Sequence, residues 1–414
     1  MAHIGFLCPP IPGHLNPVAT LGRALAKRGH RTTVFQIPEA RRAIEEQQLE
    51  FQPLGEGATD TRDIAEAVAK LGTLTGLSGV KFSIRCAASL ANAICRYGPA
   101  TIQSSGVDLL VVDQNEPAGG TVAQHLGLPF VNVLSALPLN REPKIPPPFV
   151  PWGYTGRVVT TVFNATAYAL FDRLIAPINR VLNEHRQRWK LPLIKRPDDT
   201  FSELAQLSQL TEDFDFPRAS RPAALQYLGP FRDNSRPTVP FPYERLDGKR
   251  LVYASFGTLQ NRKEEIFQVV AAACADLEVQ LVISAGGGGA LGATRLAGTP
   301  IVVEYAPQLD LLTRAAVCIT HGGMNTVMES LSCGVPMVAL PVTNDQPAVA
   351  ARLRWARAGE VLFPGRLRAT QLKAAVRRVL EFPEYLGRAR QLQMSIERAG
   401  GVERAADIVE GVLD

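Results

Sequence analysis

Short apolar runs alternate along this chain with stretches whose apolar residues recur three and four positions apart. That alternation predicts buried strands separated by amphipathic helices. Residues 4–8 form the first run, ending in PPIPGHLNP. Leu15, Val18, Ala19, Leu21 and Leu25 then mark a helix that starts at Leu15 and closes at Gly29, and residues 32–37 are the next strand. A strand, a helix and a strand in this order make a βαβ unit, so a parallel, doubly wound sheet is expected. Residues 51–54, 109–113, 130–134 and 205–210 supply further strands. The pattern starts afresh at 251–256 and continues through strands at 281–285, 301–305, 317–320 and 337–342. Helices follow at 346–357, 370–380, 384–399 and 402–412.

Two stretches interrupt this rhythm. Residues 136–156, with PLNREPKIPPPFVPWGYTG, are too rich in proline for a sheet or helix interior and predict a long loop. Residues 232–248 mix prolines and charges and read as an interdomain linker. The helix predicted at 158–189 mixes apolar residues with Asp172 and Arg173, which reads as core-facing rather than membrane-bound.

At 414 residues, 46% of them hydrophobic, the chain fits two domains of about 200 residues each. Its net charge of +5 is small for this length, and the arginines, notably after Arg352, are interspersed with acids. They read as a solvated face, not a nucleic-acid groove. Six cysteines, Cys8, Cys86, Cys95, Cys274, Cys318 and Cys333, show no paired C-x-x-C spacing, so reduced, buried thiols are expected. The N-terminus lacks the features of a signal peptide, and no apolar run reaches the ~20 residues of a membrane span. A cytoplasmic protein without stable membrane insertion is expected, with passing membrane contact left open.

Chemistry concentrates in residues 317–346, VCITHGGMNTVMESLSCGVPMVALPVTNDQ. A strand, the turn His321-Gly322-Gly323 and a helix carrying Val327, Met328 and Leu331 follow one another. Such a turn gathers unpaired N–H groups and the positive end of a helix dipole, which suits a diphosphate. Asn325 and Thr326 add donors, and Glu329, one turn on, could accept the hydroxyls of an attached ribose. The next strand ends at Asp345 and Gln346, an acid and an amide suited to the vicinal hydroxyls of a sugar.

The run from Tyr305 to Gln346 resembles the nucleotide-sugar motif of the family 1, UDP-dependent glycosyltransferases, whose fold is GT-B. The matching letters are Ala306, Pro307, Gln308, His321, Gly323, Asn325, Thr326, Glu329, Gly334, Pro336, Pro341, Asp345 and Gln346, in the family's order and spacing. Plant members carry Trp where this chain has Tyr305 and Met324. A Tyr ring can still stack on a base, and Gln346 resembles glucose-using members. The whole chain looks most like the bacterial zeaxanthin and macrolide transferases.

His14 and Asp113 fall at the carboxyl ends of two strands predicted for the same sheet. A carboxylate on one imidazole nitrogen fixes the tautomer and leaves the other nitrogen to take a proton. Asp113 would otherwise cap the helix beginning near Pro117. The resemblance places the family's catalytic base and its acidic partner on these two positions. It also carries Ser255 and Thr258, in the SFGT turn, to the donor site beside Tyr305, Ala306, Gln308 and Met324. Asp213 and Asp215 have a D-x-D spacing that holds metal in other glycosyltransferases; here DFDFPR reads as a structured turn, and the resemblance implies catalysis without metal. Phe149, Trp152 and Tyr154 would line the acceptor, with a packed surface loop as the alternative.

The expectation is an α/β chain of two Rossmann-like domains facing across a cleft. Residues 1–231 would hold the acceptor and 249–398 the nucleotide sugar, with 399–414 crossing back onto the first domain as the fold implies. The implied reaction is metal-independent, inverting transfer of a sugar, glucose by analogy, from a UDP-sugar to a small hydroxylated, lipophilic acceptor. The alternatives are a GT-B epimerase, which product analysis without acceptor would reveal, and a non-catalytic nucleotide-sugar binder.

Overall fold

In the computed structural model, residues 1–70, 76–233, 239–257, 264–286 and 295–413 are described. Strands covered by helices on both faces must be apolar throughout rather than alternating, and β1 (His3–Leu7) is accordingly buried at all five positions. Among the described residues it belongs to a seven-stranded parallel sheet with β2 (Arg31–Gln36), β3 (Glu50–Pro53), β4 (Leu109–Asp113), β5 (Phe130–Leu134), β6 (Gln206–Ser208) and β7 (Leu225–Tyr227). The order is β3-β2-β1-β4-β5-β6-β7. A second parallel sheet holds β8 (Arg250–Ser255), β9 (Val279–Ser284), β10 (Ile301–Val303), β11 (Ala315–Thr320), β12 (Met337–Ala339) and β13 (Gly359–Val361), in the order β10-β9-β8-β11-β12-β13. In both sheets the chain runs outward to one edge and then reverses, between β1 and β4 in one and between β8 and β11 in the other. Loops splay apart at such a reversal, which opens a crevice at the strands' carboxyl ends.

The C-terminal helix Gly401–Leu413 joins the core of the first domain through Val402, Ala405, Ala406 and Val409. Arg28, at the cap of the first helix, ties it down, donating to Glu403, Asp407 and Glu410 at 2.7, 2.6 and 2.7 Å. Gly400 and Gly401, both with positive φ, break it from the preceding helix Pro383–Ala399.

Three sequence expectations change. The first helix spans Pro12–Lys27, so His14 occupies its first turn rather than a loop. Pro12, with its φ already helical and no N–H to lose, starts the helix earlier than the apolar spacing suggests. Arg352 is not on a solvated face but is 1% exposed, with its Nε on Asp215 Oδ1 at 2.7 Å. The helix Val158–Arg188 does not face a core along its whole length, because Val158, Val159, Val162 and Phe163 stand in solvent.

Asp215 joins the domains. Arg218 Nε and Tyr227 Oη donate to its Oδ2 at 2.8 and 2.7 Å, and the Phe216 N–H to its Oδ1 at 2.9 Å. The Arg352 guanidinium also stacks over Phe216, 4.3 Å from the ring centre. Leu137, Leu210 and Phe214 of the first domain extend the apolar core of the second around this junction.

Candidate active site

The donor half grows from the reversal in the second sheet. Thr320 of β11 pairs with Ser255 of β8, so the chain leaves both strands side by side. Gly322, at φ +81°, turns the chain, and Gly323 precedes the helix Met324–Ser332 with no side-chain cap on its first N–H groups. The His321 ring lies against Gly257, where an added Cβ would stand 3.0 Å from the ring, and a Cβ on Gly323 would collide with its Nε2. The two glycines thus form a slot that holds the imidazole at the helix start. Burial lowers the His321 pKa to about 4, against a smaller lift from the Ser255 backbone. The ring is therefore neutral at pH 7 and brings no charge to the helix start. Among the described residues its Nδ1 is buried without a hydrogen-bond partner, and an orphaned polar atom in such a place calls for a ligand.

Around this mouth, Asn325 is partly exposed, and Thr326 and Ser255 are buried. Glu329, buried beneath, accepts from Gln308 Nε2 at 2.6 Å, and Tyr253 Oη donates to Gln308 Oε1 at 3.2 Å. Tyr305 is 51% exposed, with its ring free to stack, and Ala306 packs against the second core. Met324 does not face the mouth: its side chain is buried in that core, because the first inward position of an amphipathic helix claims it. Gln346 turns its Oε1 back to the N–H groups of Val342 and Thr343, at 2.9 and 3.0 Å, shaping the loop that presents Asp345. Thr258 lies outside the described residues.

The acceptor half grows from the reversal in the first sheet. Leu7 of β1 pairs with Val112 of β4, which brings the first helix beside Asp113. His14 Nδ1 lies 3.0 Å from Asp113 Oδ2, and Asp113 has no exposed surface. Burial alone lowers the imidazole pKa, but the Asp113 charge and hydrogen bond, with the Asp345 carboxylate across the cleft, raise it above 6.5 overall. Asp345 itself is raised by burial, with His14 opposing. His14 is thus flanked by one carboxylate from each domain.

Two neighbours of Asp113, Asn115 and Glu116, were missed in the sequence. The Asn115 N–H donates to Asp113 Oδ1 at 2.8 Å, and its amide stands 3.4 Å from His14 Nε2. With Nδ1–H given to Asp113, Nε2 is the accepting nitrogen, and the Asn115 amide N–H donates to it at 3.4 Å. The D-x-N spacing is an Asx-turn pattern and could have pointed to this residue. Burial, then the Asp113 charge, push Glu116 up to about 8, and its Oε2 has no partner among the described residues. It is neutral at pH 7, so it adds no second charge beneath the dyad.

The three aromatic candidates do not form one wall. Phe149 stacks on Phe171 at 4.5 Å, and Trp152 Nε1 donates to Asn164 at 3.0 Å. Tyr154 instead packs edge-on against Trp355 at 5.4 Å, near Phe216, in the interdomain junction. Its neighbours there are apolar on both sides, which gives the ring more cover than a solvated cleft would. Of the D-x-D pair, Asp215 has both oxygens committed to the groups of that junction.

The halves meet where Asn325 Nδ2 donates to the Gly13 carbonyl at 3.1 Å, one residue before His14. A crevice with an uncapped helix start on one wall and an Asp-supported imidazole on the other can hold a diphosphate against a proton acceptor. Comparison with known proteins agrees. The family described as UDP-glucoronosyl and UDP-glucosyl transferase matches residues 23–397. The zeaxanthin glucosyltransferase of Pantoea ananas is 33% identical over 425 aligned residues, covering 100% of this chain and 96% of that protein. That of Pseudescherichia vulneris is 32% identical, covering 100% and 98%. Among solved structures, the glycotransferase of kitacinnamycin superposes with a TM-score of 0.78 at 22% identity, covering 100% of this chain and 99% of that one. The fold is GT-B, and the chain belongs to the UDP-glucuronosyl and UDP-glucosyl transferase family as a bacterial-type UDP-glycosyltransferase.

Proposed function

We propose that the enzyme transfers glucose from UDP-glucose to a hydroxyl of a small lipophilic acceptor in one inverting displacement that needs no metal. The observation carrying this reading is the His14–Asp113 pair placed across the crevice from the start of the helix Met324–Ser332, the two walls touching at Gly13 and Asn325. As the acceptor oxygen attacks the anomeric carbon, its proton passes to His14 Nε2. The bond to UDP breaks and its electron pair leaves on the diphosphate. Asp113 and Asp345 stabilise the imidazolium that forms. The helix N–H groups take up the charge on the leaving group, with the neutral His321 ring packed beside them.

A base on the wall opposite the diphosphate favours attack from the far face, hence inversion. Metal independence is supported by the donors already arranged for the diphosphate and by Asp215 being committed to two arginines. A polyol such as zeaxanthin, named for two full-length relatives, is the acceptor to try first. A cytoplasmic setting fits six unpaired cysteines, and no described helix is long and apolar enough to cross a membrane.

The test is incubation with UDP-glucose and zeaxanthin, with and without a chelator, followed by mass spectrometry and NMR of the anomeric proton. A β-glucoside formed equally with chelator is expected, whereas an α-product or loss of turnover on chelation refutes the mechanism. His14→Ala should lower kcat by about 10²- to 10⁴-fold with UDP binding intact; unchanged turnover removes the base assignment.

A further inference from the structure

The helix Val158–Arg188 leaves one side without a partner over its first half. Val158, Val159, Val162, Phe163 and Leu170 are each more than half exposed, Val158 to 83% and Phe163 to 61%. Ala165, Thr166 and Ala169 are exposed between them. Their recurrence every three to four residues puts them on one stripe about three turns long. Among the described residues no other element exposes as many large apolar side chains. Scattered apolar residues on a surface mean little, but a contiguous stripe marks an interaction site.

Charge identifies the occupant. No acid occurs from 157 to 171, and the next, Asp172, is engaged by Arg141 at 2.9 Å. Arg157 at the start of the helix and Arg173 just beyond the stripe are both exposed, as is Lys144 in the adjoining loop. A second copy seated by two-fold symmetry would bring these cations together with no acid on the stripe to answer them. An anionic bilayer offers phosphates to the arginines and acyl chains to the valines and Phe163. The proline-rich loop covers the opposite side of this helix, where Asn164 is fully buried, and leaves the stripe bare. Trp152 is tied to Asn164 of this helix at 3.0 Å, and Phe149 stacks on Phe171 at 4.5 Å.

We propose that this stripe docks the enzyme on an anionic lipid bilayer, the helix lying in the headgroup plane with the proline-rich loop on its protein-facing side. Docking there would hold the enzyme at the surface in which a lipophilic acceptor dissolves. The proposal does not depend on the identity of the reaction, because vesicle binding is read without turnover.

The full chain should be sedimented with phosphatidylcholine vesicles with and without phosphatidylglycerol, alongside the variants Val162→Glu/Phe163→Glu and Arg157→Gln/Arg173→Gln. Wild type should bind the anionic vesicles several-fold more tightly than neutral ones. The glutamate variant should bind at least tenfold more weakly, and the glutamine variant should lose the preference for phosphatidylglycerol. Both should keep the wild-type melting curve and turnover on a water-soluble acceptor, since the changed side chains already face water. The proposal is overturned if wild type fails to bind, if the glutamate variant binds equally well, or if light scattering shows a dimer that the glutamates dissolve.

Discussion

Asp113 ends β4 with no exposed surface and holds the Nδ1 of His14 at 3.0 Å. Asp215, as deeply buried between β6 and β7, holds the Nε of Arg352 at 2.7 Å and the Nε of Arg218 at 2.8 Å. Both face a partner brought from elsewhere in the chain, yet their partners differ in whether they can give up a proton. An imidazole titrates near neutrality, so the first pair can gain and lose charge during a turnover. A guanidinium does not, so the second pair is a fixed bolt whose worth lies in holding the domains together. Burial of a carboxylate therefore says nothing about catalysis until the partner is known.

Asp113→Asn tests the catalytic side and should have the largest effect. The amide cannot hold the His14 tautomer or stabilise imidazolium, so kcat should fall by about 10²- to 10⁴-fold. The acid limb of kcat/KM should also move to lower pH, since the charge that raises His14 above 6.5 is gone. Asp215→Ala comes next. It strands two buried guanidiniums and should cost about 3–5 kcal/mol in urea unfolding, while kcat well below the transition changes little. A loss of kcat rivalling that of Asp113→Asn in fully folded protein would erase the distinction between the two carboxylates. Burial pushes the Asp215 pKa up, but Arg352 and Arg218 pull it far below the usual carboxylate range. Its charge-based stability is therefore complete above about pH 4 and is lost only as pH falls through that depressed value.

Gly323→Ala should act on the donor wall alone. The added Cβ displaces His321 from its slot, raising KM for UDP-glucose on the order of tenfold with the pH profile unchanged. Asp345→Asn should give the smallest shift of the pH profile. His14 loses its weaker carboxylate neighbour, and the acid limb moves to lower pH by less than in Asp113→Asn, as read from a kcat/KM profile.

Much of this was readable before any coordinates because it is local. Residues 317–346 carry strand, turn and helix within one continuous stretch, so His321, Asn325 and Glu329 had their places set by backbone geometry alone. The helices Thr59–Ala69 and Gly76–Ser104 were not delimited in the same way. Gly76, Gly79, Gly98 and Pro99 punctuate the second of them as a loop would be punctuated. The short strands β7 and β13 offer only three residues each, too few for a period to show. Met324 and Tyr154 carried the right chemistry for a site, but packing claimed them for a core and for the domain junction.

The order of residues thus determines the two parallel sheets, their carboxyl edges and the chemistry gathered there, because strand periodicity and turn composition act over a few neighbours. Which distant groups meet is another matter. Asp215 and Arg352 are 137 residues apart, Gly13 and Asn325 are 312 apart, and the apolar stripe at 158–170 has the same periodicity as a helix packed on a core. Only packing of whole domains decides whether a given face finds a partner or water, because burial is a property of surfaces brought together and not of any segment alone.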